Sequence, residues 1–142
     1  MHLTQYTDYS LRVLMYTAVK QEKELSQIRE ISEAYLISKN HLMKVVYQLG
    51  KLGYIETVRG RNGGIRLLKR PEEINIGKVV RETEDNFHIV ECFDSERNQC
   101  PITSVCKLQF ALGDALQAYL KVLDQYTLAD ITKNKEELAA LL

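Results

Sequence analysis

A mainly α fold carrying one small β-hairpin is what this 142-residue sequence predicts. Three features point to it. Apolar residues recur at helical spacing as far as Leu52, the period then drops to two around a Gly-rich turn, and helical spacing returns in a long seam near the C-terminus. An apolar fraction of 45% against 27% charged residues is that of a packed chain rather than a disordered one. The length suits one ordinary domain, or a small domain with an appendage.

Leu11, Leu14, Met15 and Ala18 form the first stripe. They predict a helix from about Thr7 to Lys20, ended by the polar stretch Gln21–Glu24. Ser26 stands where an N-cap would open a second helix, with Ile28, Ile31, Ala34 and Tyr35 on its apolar face. After Leu36 and Ile37, Ser38 caps a third helix that turns Leu42, Val45, Val46, Leu49 and Leu52 inward, and Gly53 is placed to stop it. Tyr54–Val58 and Ile65–Leu68 read as two short strands. Between them, Arg59-Gly60-Arg61-Asn62-Gly63-Gly64 is rich in residues that tolerate positive φ. Helix, short turn, helix and hairpin make a winged helix-turn-helix arrangement.

Pro71 marks a boundary: residues 1–70 form the winged helix-turn-helix domain and 71–142 a second unit. There Asn75 caps a short helix through Val79 and Val80, and residues 84–104 read as a loop. Val105, Leu108, Leu112, Ala115, Tyr119, Val122 and Tyr126 follow heptad steps along one long helix, with Leu116, Leu120 and Leu123 as a second stripe beside them. One stripe can cover the chain's own core, while the other needs a partner. Leu128–Leu142 reads as a short helix or a frayed tail.

Basic and acidic residues balance at 19 each, which by itself speaks against a polyanionic partner. Their distribution reverses that. Residues 1–70 carry 12 Lys/Arg against 6 Asp/Glu, whereas residues 71–142 carry 7 against 13. Within 39–70 there are 8 basic residues and a single acidic one, Glu56. A basic module that meets nucleic acid, joined to an acidic module with another task, follows.

In a helix-turn-helix the second helix enters the major groove of double-stranded DNA with its N-terminal residues against the bases. Here those are Ser38, Lys39, Asn40, His41 and Lys44. Asn can pair with adenine through two hydrogen bonds, and Lys can reach guanine or a phosphate. At the wing tip, Arg59, Arg61 and Asn62 suit a phosphate or a narrow minor groove.

No secretory or membrane-spanning segment is visible: Val13–Val19 falls far short of the roughly 20 apolar residues a span needs. A cytoplasmic location, where thiols stay reduced, is therefore expected. Three cysteines, Cys92, Cys100 and Cys106, cannot form a complete disulfide framework, so metal or redox chemistry is the better expectation. The paired knuckles of a structural zinc site are absent, while iron–sulfur clusters are also held by thiolates. No nucleophile–base arrangement and no phosphate-cradling loop suggests an enzyme.

The segments Leu3–Arg12, Ser38–Val45, Arg59–Leu67 and Ile89–Phe93 together resemble the NsrR/IscR-type family of bacterial iron–sulfur winged-helix transcription regulators, on its nitric-oxide-sensing branch. The resemblance covers nearly the whole chain. It implies a cytosolic homodimer whose long C-terminal helices cross, with an iron–sulfur cluster on Cys92, Cys100 and Cys106, [4Fe–4S] in first place and [2Fe–2S] as the alternative. IscR-type members carry a His three residues after the last Cys, where this chain has Gln109. That departure weighs toward the nitric-oxide sensors, whose fourth ligand is an Asp near the N-terminus of the other subunit. Asp8 matches it, although Asp8 also suits the first turn of a helix and an ion pair with Arg12. His88 is the in-chain alternative. The implied function is a repressor that binds a palindromic operator until nitric oxide attacks the cluster. Competing expectations are a cluster-free thiol sensor, an IscR-like monitor of iron–sulfur status, a small electron-transfer protein and a protein-interaction module.

Overall fold

The computed structural model describes residues 1–20 and 24–142. Helix α1 spans Gln5–Val19, α2 Ile28–Tyr35 and α3 Lys39–Lys51. Strands β1 (Ile55–Val58) and β2 (Gly64–Leu67) form an antiparallel hairpin, and α4 (Ile76–Thr83), α5 (Lys107–Leu123), α6 (Leu128–Ile131) and α7 (Lys135–Leu141) follow. The predicted fold class is the observed one: mainly helical with one hairpin. Among the described residues, no helix is long and apolar enough to cross a membrane.

Helix α1 begins two residues before its predicted start because Thr4, not a later residue, caps it. The Thr4 side chain accepts from the Thr7 N–H at 3.3 Å, and its own N–H and hydroxyl donate to the Glu84 carboxylate at 2.7 and 3.0 Å. The polar break Gln21–Glu24 lies, apart from Glu24, outside the described residues. Ser26 is not the cap of α2. Its backbone pairs with Ile65 in both directions, at 2.9 and 2.8 Å, which holds the chain extended beside β2. The helix therefore opens one residue later, with Gln27 as N-cap and its N–H donating to Glu30 at 3.1 Å. The turn into α3 puts Leu36 in the left-handed region at φ 55° while Ile37 is buried.

The inward face of α3 is as predicted: Leu42, Val45, Val46 and Leu49 are buried, and Leu52 caps the helix before Gly53 turns at φ 76°. These residues join Val13 and Leu14 of α1, Ile31 of α2, Ile55 and Ile65 of the hairpin, and Ile74, Ile76 and Val79 around α4 in one core.

Leu128 is fully buried in that core, so the C-terminal segment is not a frayed tail. Backbone bonds Ile76 N–H to Tyr126 and Leu128 N–H to Ile74, at 2.9 and 2.8 Å, stitch it to the start of α4. Asn75, the predicted cap, accepts from Lys78 N–H and also donates to the Asp124 carbonyl at 2.7 Å. Asp124 in turn pairs with Arg81, and a Cβ at Gly77 would meet an Asp124 oxygen at 2.0 Å. The end of α5 is thus clamped onto α4.

A capping box opens α6, with Thr127 and Asp130 bonded reciprocally at 2.9 and 3.2 Å. The Lys133 ammonium at 2.9 Å, then the Thr127 N–H and O–H, hold the Asp130 carboxyl well below the usual carboxylate range. A depressed folded-state pKa contributes stability that is present above the unfolded value of about 3.9 and is lost as pH falls toward the folded one. Asp130→Asn is therefore expected to lower Tm near neutral pH. The gap between variant and parent should close below about pH 4, and a constant gap down to pH 3 would contradict this account.

Candidate nucleic-acid interface and cysteine loop

The N-terminus of α3 presents the predicted reading residues outward. Ser38 caps it, accepting from His41 N–H at 3.3 Å, and Lys39, Asn40, His41 and Lys44 are exposed. On the wing, Arg59, Arg61 and Asn62 are exposed at the tip. Among the described residues, Lys39, Lys44, Arg59 and Arg61 have no carboxylate within ion-pair reach, so their charge is available to a polyanion. Arg66, by contrast, is neutralised by Glu56 across the hairpin, where the two are register partners.

The wing turn depends on its glycines. Gly60 sits at φ 116°, and Gly63 donates back to its carbonyl at 3.0 Å. A Cβ at Gly63 would stand 2.2 Å from the Val58 carbonyl oxygen, so the backbone must shift to admit one. Gly63→Ala is expected to cost about 1–3 kcal/mol of stability and to weaken DNA binding by displacing Arg59 and Arg61. An unchanged affinity would mean that the wing does not touch DNA.

Helix α1 reaches both other helices of the reading unit. Asp8 holds Arg12 through two bonds, at 3.0 and 2.9 Å. The Arg12 guanidinium lies 5.7 Å from the Tyr35 ring of α2, and the Tyr9 ring lies 6.1 Å from His41 of α3. The Asp8–Arg12 pair was legible from its i,i+4 spacing. The two contacts through Tyr35 and His41 were not, because they join separate helices.

The three cysteines are free and half-exposed. Cys92 lies in a short 3₁₀ turn, Glu91–Phe93, and Cys106 is the N-cap of α5. Their backbones are tied down: Cys100 N–H donates to Asn98 and its carbonyl accepts from the Thr103 hydroxyl, at 3.0 and 2.8 Å. The Gln109 side-chain amide donates to the Cys92 carbonyl at 2.9 Å. His88 faces Asp94 at 3.7 Å. Among the described residues, no three His, Cys, Asp or Glu side chains converge on a point where one metal ion could sit. The loop therefore brings the cysteines into one segment without gathering them into a finished metal cage.

Along α5 the two predicted stripes separate. Leu120 is buried and Leu123 packs on the core, whereas Val105, Leu108 and Val122 are 75%, 64% and 51% exposed. The heptad seam is thus left largely uncovered, and its two end members fall outside the helix, Val105 in the turn before Lys107 and Tyr126 beyond Leu123.

Likenesses to one protein family and to three known proteins bear on this arrangement. The family described as "Rrf2: Iron-dependent Transcriptional regulator" matches residues 3–134. The HTH-type transcriptional regulator NsrR of Bacillus subtilis (strain 168) is 63% identical over all 142 residues, covering 97% of that protein. Among solved structures, the oxidised form of Staphylococcus aureus CymR is similar at TM-score 0.73 and 26% identity, covering 92% of this chain and 95% of that one. The T. potens IscR, at TM-score 0.76 and 23% identity over 97% of this chain and 90% of that one, supports the fold alone. With a family match over nearly the whole chain, the protein belongs to the Rrf2 family and is a DNA-binding transcription regulator, not an enzyme.

Proposed function

We propose that this chain is a cytoplasmic, homodimeric repressor whose grip on a palindromic operator depends on an iron–sulfur cluster and is released by nitric oxide. The observation that carries this is three free, half-exposed thiols on the one loop that leads into α5, in a chain so similar to a regulator named NsrR. Three thiols fit three of the four positions of a [4Fe–4S] cluster, or of a [2Fe–2S] one. The Gln109 amide is engaged with the Cys92 carbonyl. For the fourth ligand our assignment is Asp8 of the second copy, which would exchange its two bonds to Arg12 for the cluster, with His88 as the in-chain alternative. Cys92, Cys100 and Cys106 would hold such a cluster by soft thiolates and Asp8 by a hard carboxylate, and the carboxylate-held iron would be the one most open to exchange with nitric oxide.

Residues 71–142 then hold the cluster and dimerise through the uncovered α5 seam, and residues 1–70 read DNA. Ser38, Lys39, Asn40, His41 and Lys44 take the bases, and Arg59, Arg61 and Asn62 take the flanking backbone or minor groove. Asp8 is the link. A carboxylate that exchanges between Arg12 and a partner's site changes how Arg12 bears on Tyr35 and how the neighbouring Tyr9 bears on His41. The difference in DNA affinity between the two arrangements is the coupling energy.

Anaerobic titration with nitric oxide, following visible absorption and DNA binding together, tests the reading. Both should fall in step. One rival is a cluster-free thiol sensor, since the three thiols are free and half-exposed. A colourless, sulfide-free anaerobic preparation whose DNA binding responds to oxidant rather than to nitric oxide would establish that rival instead.

A further inference from the structure

The outward face of α3 does not end at Lys44. At 100° per residue, Asn40, Lys44, Tyr47 and Lys51 fall within about 60° of one another around the helix. Tyr47 is 61% exposed, and the Lys51 ammonium sits 4.7 Å from the centre of its ring. A cation over a ring face is held there electrostatically, which keeps the ammonium beside the phenol. Two hydrogen-bond donors, N–H and O–H, are thereby set side by side on the line of the reading residues. Among the described residues, neither the Tyr47 hydroxyl nor the Lys51 ammonium has a hydrogen-bond partner or a carboxylate within ion-pair reach.

The surroundings decide which side a polyanion can approach. Tyr47 also borders a groove of about 510 Å³, shared with Tyr6, Lys44, Gln48 and Leu52. Its far wall carries Glu82, Glu84 and Asp85. Glu82 accepts from Tyr54 and Glu84 from Thr4, which keeps those carboxylates in place. Those carboxylates repel a phosphate from their part of the groove, so it is met at the exposed helix face that carries Lys44 and Lys51.

We propose that Tyr47 and Lys51 form a stacked pair that grips a backbone phosphate and extends the DNA contact into the C-terminal half of the recognition helix. This rests on the DNA-binding role and not on the identity of the cluster, so parent and variants are compared as the full chain purified without oxygen, all in the same loading state. Phosphate contacts carry no sequence information, so the probe is a short duplex of arbitrary sequence, followed by fluorescence anisotropy across a salt series. Lys51→Ala is expected to lower the slope of log affinity against log salt by about one. Tyr47→Phe removes only the hydroxyl and should weaken binding about threefold to tenfold at fixed salt, with the slope unchanged. Arg59→Ala and Lys121→Ala, the latter on the acidic half, are the comparators.

If Arg59→Ala weakens binding while Tyr47→Phe and Lys51→Ala do not, the proposal is overturned and the DNA face stands without the pair. Should Lys121→Ala flatten the slope as much as Lys51→Ala, the effect is distant charge and the pair is again rejected. If none of the four variants changes binding, the DNA face itself is misassigned. Both side chains are exposed, so an unchanged Tm separates lost contact from lost fold.

Discussion

A chain carrying Cys106→Ala, purified without oxygen, is expected to hold no stoichiometric iron or sulfide and to bind DNA equally before and after nitric oxide. The parent chain should shift its affinity by about 5-fold to 150-fold, the usual range of allosteric coupling. On the proposed set of three thiols and one external carboxylate no ligand is spare, so the loss of one thiol should be felt as the loss of the whole response. Cys106 is also the cleanest of the three to remove. It is the N-cap of α5 but makes no side-chain capping bond, so alanine there takes away a ligand without taking away a cap. Iron and sulfide assays on the variant, together with anisotropy before and after nitric oxide, decide the matter. Retained iron with a retained response would remove Cys106 from the ligand set.

Leu128→Ala is expected to destabilise the fold by about 2–5 kcal/mol, the range for emptying a fully buried leucine site. For a chain of this size that is a fall in Tm on the order of 5–15 °C. Leu128 has no solvent exposure and sits in the same core as Ile74, Ile76 and Val79. Leu141, 83% exposed near the end of α7, is the comparator, and Leu141→Ala should stay within about 0.5 kcal/mol of the parent. Equal, small effects at the two positions would make the C-terminal segment a frayed tail, the other of the two states its sequence allows.

These two predictions sit on opposite sides of what could be read without a structure. The cysteines, the α3 cap at Ser38, the stop at Gly53, the cap at Asn75 and the Gly-rich wing were all legible, and all are local. A cap concerns a side chain and an N–H three residues on, and a turn concerns the φ of one or two residues. The inward stripe of α3 was legible for a related reason, since helical periodicity is a property of neighbours in sequence. Ser26 shows where such reasoning ends. Its residue type suits a cap, yet pairing with Ile65 on the far strand decides its conformation.

By itself, then, the sequence determined the helices and hairpin, the outward set Ser38, Lys39, Asn40, His41 and Lys44, the segregation of charge, and the three thiols on one loop. Tertiary structure alone decided that Leu128 closes the core, that Thr4 is bound to Glu84 and Asn75 to Asp124, and that Gln109 holds the Cys92 carbonyl. It likewise set Tyr9 against His41, and it left the stripe beginning at Val105 uncovered while Leu120 was buried. The physical reason is range. Capping, turn chemistry and periodicity act within about one helical turn, whereas these contacts join elements far apart in the chain and exist only once the core has brought them together.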